Sequence, residues 1–452
     1  MVEADILIEN ALIITLDKNN DTFKGSVVIR DGSIIDVIRG RKEALREEYT
    51  ARHVINGRGM ILLPGFINTH VHVYQAFIRA YPDYLPLVKW CKHVLFPFYS
   101  VVLHHQSRND YTLGYYAALL SAIEMIRSGT TCAVCQDTFN PTLPEALSRI
   151  GLRAVYAITL ADKWLPKDCL PELSPKELVE RADKVIRTWH GAGDGMIACM
   201  LAPSAVFTCS DELLREVSFY SKLRGIGVSI HVNETKWEVE WAEKNLGLSV
   251  VEYLNELGLV SSKLLAVHCV WCNEHELRIL KSKGASVSHN PESNMKLASG
   301  VAPVPKMLRM GINVALATDG AASNDNLDMI EAMRIAALLH KVATGNAKVI
   351  TALDVLKMAT INGAKALGMA DKIGSIEIGK KADVILINYR SPHLQPLHDP
   401  IKGVVYCCNN SDVYTVIING RLVMYKRRIL TVNEKEVIKN AIKTYREHFR
   451  GL

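Results

Sequence analysis

Eight short apolar runs, spaced by stretches of helical pattern, constrain this chain more than any other feature. The first leads to His70-Val71-His72, and the others are Thr131–Val134, Arg153–Ala157, Ile197–Leu201, Gly227–Ile230, Leu265–Val267, Ala285–Ser288 and Asn313–Leu316. Helical patterns such as Tyr115 to Ser128 and Ile330 to Leu339 fall between them. Strands alternating with helices predict an α/β fold, a (β/α)8 TIM-type barrel, with a doubly wound open sheet as the alternative. Such a barrel needs ~250 residues, so a chain of 452 leaves room for a smaller module.

The chain ends supply that module. Residues 4–58 read as short β segments separated by turn signals such as Asp31-Gly32. The pattern returns in Ala382–Ile387 and Val413–Gly420. A composite β-sandwich domain is therefore expected from 1–60 and 371–432, around a barrel of 61–370 and ahead of a C-terminal helix over 433–452.

Composition narrows the setting. Hydrophobic residues make up 49% and charged residues 22%, an ordinary soluble balance. No apolar run approaches the ~18 residues that span a bilayer, and Met1-Val2-Glu3-Ala4-Asp5 lacks the pattern of a signal peptide. Ten cysteines in that context predict free thiols in a reducing cytoplasm. Cys132-x-x-Cys135 and Cys269-x-x-Cys272 adjoin apolar runs and read as core rather than as a thiolate site. The net charge of +6 is spread out, and Lys426-Arg427-Arg428 reads as a solvated turn. Neither nucleic acid nor membrane is an expected partner.

The chemistry lies at the strand ends. Residues two apart on a strand share a face, so His70 and His72 aim two imidazoles at one volume. His231, His268, His289 and Asp319 also stand at the ends of apolar runs. In a barrel those ends converge on one mouth. Several histidines with one carboxylate and an open position suit catalytic divalent-metal chemistry. Glu234, three residues beyond His231, is placed to face the metal's water without ligating it.

Four motifs make a resemblance specific: Pro64–His72, Ser288–Leu297, Thr318–Asn324 and Ile373–Asp383. They resemble the amidohydrolase superfamily, in the branch of 5′-methylthioadenosine/S-adenosylhomocysteine deaminases, guanine-type and 8-oxoguanine deaminases, and atrazine chlorohydrolase. The resemblance implies one divalent metal, Zn²⁺ ahead of Fe²⁺, held by His70, His72, His231 and Asp319. It makes His268 a hydrogen-bond partner of the metal's water, Glu234 the proton shuttle and Asp319 the acceptor of the water's proton. It also implies a homodimer or higher homo-oligomer.

The substrate signals conflict. Ser204 stands where the nucleoside deaminases have a purine-contacting histidine, Tyr99 where they have a ribose-binding glutamate, and Ile158 where they have an arginine for a carboxylate. Tyr74-Gln75 and Leu297–Pro305 resemble instead the 8-oxoguanine deaminase and triazine hydrolase patterns, yet Asp319–Asn324 is closest to the nucleoside deaminases. The expected substrate is a free amino-heterocycle, purine- or triazine-like with the guanine or 8-oxoguanine type favoured, that releases ammonia. An adenosine-type nucleoside, or a triazine that loses chloride or alkylamine, is the alternative. Tyr74, Gln75, Trp90, Ser204, His289 and Asn324 are the expected substrate contacts. The aromatic stretch Gln75–Ser100 reads as a pocket wall or a dimer interface, and Trp237 and Trp271 as pocket wall or barrel packing.

Overall fold

A computed structural model describes residues 2–40, 45–82 and 84–449. Eight parallel strands form one sheet: β6 (Phe66–His72), β7 (Thr130–Asp137), β8 (Arg153–Leu160), β9 (Ile197–Pro203), β10 (Gly227–Val232), β11 (Leu264–His268), β12 (Ser286–His289) and β13 (Asn313–Leu316). They pair in chain order. Polar groups join the first strand to the last: Thr69 Oγ1 donates to Leu316 O at 3.0 Å and Asp319 N to His70 O at 3.1 Å. That closure makes a TIM barrel and brings Asp319 beside the His70 strand. Inside the barrel, Val134, Val155, Met200, Leu265 and Ala315 form one apolar cluster, so the interior is packed.

The other nine strands are β1 (Val2–Ile14), β2 (Thr22–Arg30), β3 (Ser33–Arg39), β4 (Tyr49–Asn56), β5 (Met60–Pro64), β14 (Val384–Asn388), β15 (Val413–Ile418), β16 (Arg421–Tyr425) and β17 (Arg428–Ile429). They form a single sheet in the order β17-β16-β15-β14-β5-β1-β2-β3, with β4 paired to β1. The sheet curls: Ile34 N donates to Lys380 O at 2.8 Å, and Ile29, Ile34, Leu386 and Ile417 share one core. β5 belongs to this sheet, so the chain passes into the barrel at Pro64-Gly65 and not at residue 61. A Cβ on Gly65 would collide with the Thr131 side chain, so only glycine lets the two layers approach there.

A helix over Glu434–His448 packs outside the barrel, tied down by a two-point Arg127–Glu434 pair at 3.0 and 2.7 Å. The expected helical tail at 450–452 lies outside the described residues. No helix among the described residues is long and apolar enough to cross a membrane.

Candidate active site

β6 ends at His72, β11 at His268 and β12 at His289, while His231 is the last residue but one of β10. Alternation on β6 sets the His70 and His72 rings 4.7 Å apart, and His231 lies 4.9 Å from His70. The Nε2 atoms of His70 and His72 stand 3.4 and 3.5 Å from Asp319 Oδ1. Donor atoms of His70, His72 and Asp319 form one group within 4.8 Å of one another, and those of His70, His231 and His268 form a second.

These residues fit a divalent ion. Two ligands ~2.1 Å from a tetrahedral centre lie ~3.4 Å apart, the spacing of the His–Asp pairs here. Both ring nitrogens of His70, and Nδ1 of His72, are buried with no protein partner. A buried unpaired nitrogen is costly unless something else meets it. His231 Nδ1 lies 2.6 Å from Ser204 O, so it donates there and leaves Nε2 with its lone pair. Ser204 thus enters the site through its carbonyl.

Electrostatics sort the two carboxyls into opposite states. Burial, then the neighbouring Asp319 and Glu238 carboxyls, push the Glu234 carboxyl well above its usual range, which favours its protonated form. Burial would raise Asp319 as well, but His70 beside it, then His72 and His268, hold it well below its usual range and ionised. Burial, then His70, lowers His72 to about 3; burial, outweighing the opposite pull of Asp319, lowers His268 to about 4, so both imidazoles are neutral. His268 Nε2 faces Glu234 Oε2 at 3.5 Å and Asp319 Oδ2 at 3.9 Å, while its Nδ1 lies 2.8 Å from Asn294 Oδ1. Ser293 Oγ donates to Asp319 Oδ2 at 2.7 Å. His268 and Asp319 have φ of 72° and 61°, a left-handed backbone that costs a non-glycine residue of order 1 kcal/mol and clusters at functional sites.

The cavity beside this cluster is bordered by Tyr74, Gln75, Trp90 and Ser204, four of the six expected substrate contacts. Gln75 Oε1 and Trp90 Nε1 are buried there without protein partners. A Cβ on Gly320 would run into the Gln75 amide, so glycine next to Asp319 is what admits that side chain. The other two expected contacts need correction. His289 is fully buried with Nε2 3.1 Å from His340 Nε2, and Asn324 Nδ2 is spent on Thr318 O at 2.9 Å. Both brace the barrel rim and neither borders the cavity.

The aromatic stretch divides: Trp90, Phe96 and Tyr99 line the cavity, whereas Tyr81 and Tyr84 are exposed. Trp237 packs against Phe207 and Trp271 donates to Ser299 O, so neither borders the cavity. Trp164, Phe207 and Glu238 border it instead. Glu238 follows Glu234 by one helical turn and its Oε2 accepts the Glu234 amide at 2.8 Å. That spacing was the available signal. Cys132, Cys135, Cys269 and Cys272 are buried free thiols, and no cysteine joins a metal-type cluster among the described residues.

A barrel with a histidine–aspartate cluster of metal-ligand type at its mouth is the class these features define. Residues 61–423 match the amidohydrolase family, and the chain belongs to it, a family of hydrolases acting on carbon–nitrogen bonds. The chain is 39% identical over 445 residues to a 5′-deoxyadenosine deaminase of Methanosarcina mazei, covering 98% of each chain. It is 40% identical over 441 residues to a 5-methylthioadenosine/S-adenosylhomocysteine deaminase of Desulforudis audaxviator, again covering 98% of each. Among solved structures, a zinc-bound adenosine deaminase from Xanthomonas campestris superposes with a TM-score of 0.91 at 29% identity, covering 100% of this chain and 99% of that one.

Proposed function

We propose that the chain is a metal-dependent hydrolytic deaminase of adenosine-type nucleosides, with Zn²⁺ as its ion. This replaces the expected guanine or 8-oxoguanine preference, because relatives sharing 39–40% of its residues over nearly their whole length carry adenosine-type names. One observation carries the mechanism. Glu234, pushed towards its protonated form, and Asp319, held towards its ionised form, border one cavity with His268 between them. Two carboxyls whose environments push them apart are how a site holds an acid and a base together.

His70, His72, His231 and Asp319 would hold the ion. When bound, it supplies Lewis acidity that lowers the pKa of a water from ~16 towards ~7. Asp319 takes the water's proton as oxygen adds to the carbon bearing the amine. Glu234 gives its proton to the adjacent ring nitrogen, where the adduct's charge would otherwise build up. His268, its Nδ1 fixed by Asn294, keeps Nε2 on the incoming oxygen. Proton return to the amine lets ammonia leave, so one water is consumed per ammonia and a carbonyl replaces the amine. The wall of Trp90, Phe96, Tyr99, Trp164 and Phe207 suits a flat base with a small apolar 5′ group.

Ammonia release should be measured over 5′-deoxyadenosine, 5′-methylthioadenosine, S-adenosylhomocysteine, guanine, 8-oxoguanine and a chlorotriazine. The expected outcome is kcat/KM for the best adenosine-type substrate at least ~10²-fold above guanine. Preference for guanine, or chloride release from the triazine as the faster reaction, would overturn the reading.

A further inference from the structure

Outside the barrel mouth, a second cluster of ligand-type side chains comes from three separate places. His105 lies near the end of the helix Phe96–Gln106, Asp110 in the turn after it, and His448 at the end of the C-terminal helix. Their donor atoms lie within 4.8 Å of one another. Asp110 Oδ2 is 2.9 Å from His448 Nε2 and 3.4 Å from His105 Nδ1, and the two imidazole centroids are 4.0 Å apart.

The local chemistry suits an ion. His448 Nδ1 lies 2.8 Å from Thr444 O and donates to it, which turns Nε2 towards the cluster. Metal-binding histidines are oriented by this kind of backbone bond. The 3.4 Å spacing already matches a tetrahedral edge, and the 2.9 Å pair needs to open by only ~0.5 Å. Partial exposure of Asp110 and His105 leaves room for a water as fourth ligand.

We propose that His105, Asp110 and His448 form a second divalent-metal site, structural rather than catalytic, that pins the C-terminal helix to the helix carrying Tyr99. Two imidazoles and one carboxylate select Zn²⁺ or a similar transition ion over Mg²⁺ or Ca²⁺. A metal ligand must present an unprotonated ring nitrogen, so any proton held on Nε2 passes to solvent as the ion binds. The fastening reaches the aromatic wall: Phe449 stacks on Phe98 at 5.2 Å, and Phe98 on Tyr74 at 6.4 Å.

The test is a metal count on the full chain, stripped with chelator, dialysed against Zn²⁺ and freed of loose ions. His448→Gln and Asp110→Asn should each hold one zinc fewer per chain than the wild type, whatever the mouth holds. Should His448→Gln fail to fold, His105→Gln gives the same count while leaving the His448–Asp110 bond intact. In an Asp319→Asn background, Zn²⁺ should still raise Tm, and adding His448→Gln should remove that rise. Equal zinc in the wild type and the folded variants, or a Tm rise that survives in the double variant, would overturn the proposal.

Discussion

The two ends of the barrel bury charge in opposite ways. At the floor, Arg153 opens β8 and clasps Asp383 with two bonds, Nε to Oδ2 at 2.6 Å and Nη2 to Oδ1 at 3.1 Å. Gly195 O accepts Nη1 and Asn419 N donates to Asp383, so each partner has further bonds. At the mouth, buried donors and acceptors on His70, His72, Gln75, Trp90 and Glu238 have no protein partner. A satisfied buried cluster holds a fold together, whereas an unsatisfied one waits for something to bind. The floor joins the barrel to the curled sheet; the mouth is left for ion and substrate.

The largest effect expected is at the mouth. Asp319→Asn should abolish retention of the catalytic ion and bring ammonia release to background, with the circular dichroism spectrum unchanged. Retained activity would show that the unpaired histidines are merely packed. At the floor, Arg153→Met should cost ~3–5 kcal/mol, read as a lower urea midpoint, because Asp383 is left buried and unpaired. Replacing both partners by apolar residues should recover most of that loss, and turnover per folded molecule should not change. A smaller effect tests the support of the site: Asn294→Ala frees His268 Nδ1 and should lower kcat by ~10–100-fold with little change in Tm. The smallest is a slope. Burial, opposed by backbone bonds from Glu234 and Asn233, raises Glu238 from 4.5 to about 8. Its contribution is full below pH 4.5 and is lost as pH rises through 8, because the folded chain holds a proton that the unfolded chain has released. Denaturation across that window should show a shallower loss for Glu238→Gln than for the wild type.

Strand ends could be read from the chain because periodicity and chemistry coincide there: an apolar run, then His or Asp, recurs on β10, β11, β12 and after β13. The same register misled at His289, since a strand-end histidine whose Nε2 is held by His340, away from the cavity, looks no different in sequence from one facing it. β5 was legible as an apolar run, but its membership of the outer sheet depends on pairing with β14, more than three hundred residues away. Ser293 and Asn294 could be placed in a motif, yet their bonds to Asp319 and His268 depend on how the short helix Pro291–Lys296 packs over the barrel mouth. Long-range contact of this kind leaves no periodic trace. The same holds for Phe449 on Phe98 and for Trp164 against Phe207.

The most direct test of the mouth as a deaminase centre is Glu234→Gln, assayed for ammonia release from 5′-deoxyadenosine with metal content measured on the same sample. Glutamine keeps the shape but has no proton to give. Wild-type metal content with turnover lowered by ~10²–10⁴-fold is the expected result. Turnover close to wild type, with the ion in place, would contradict it.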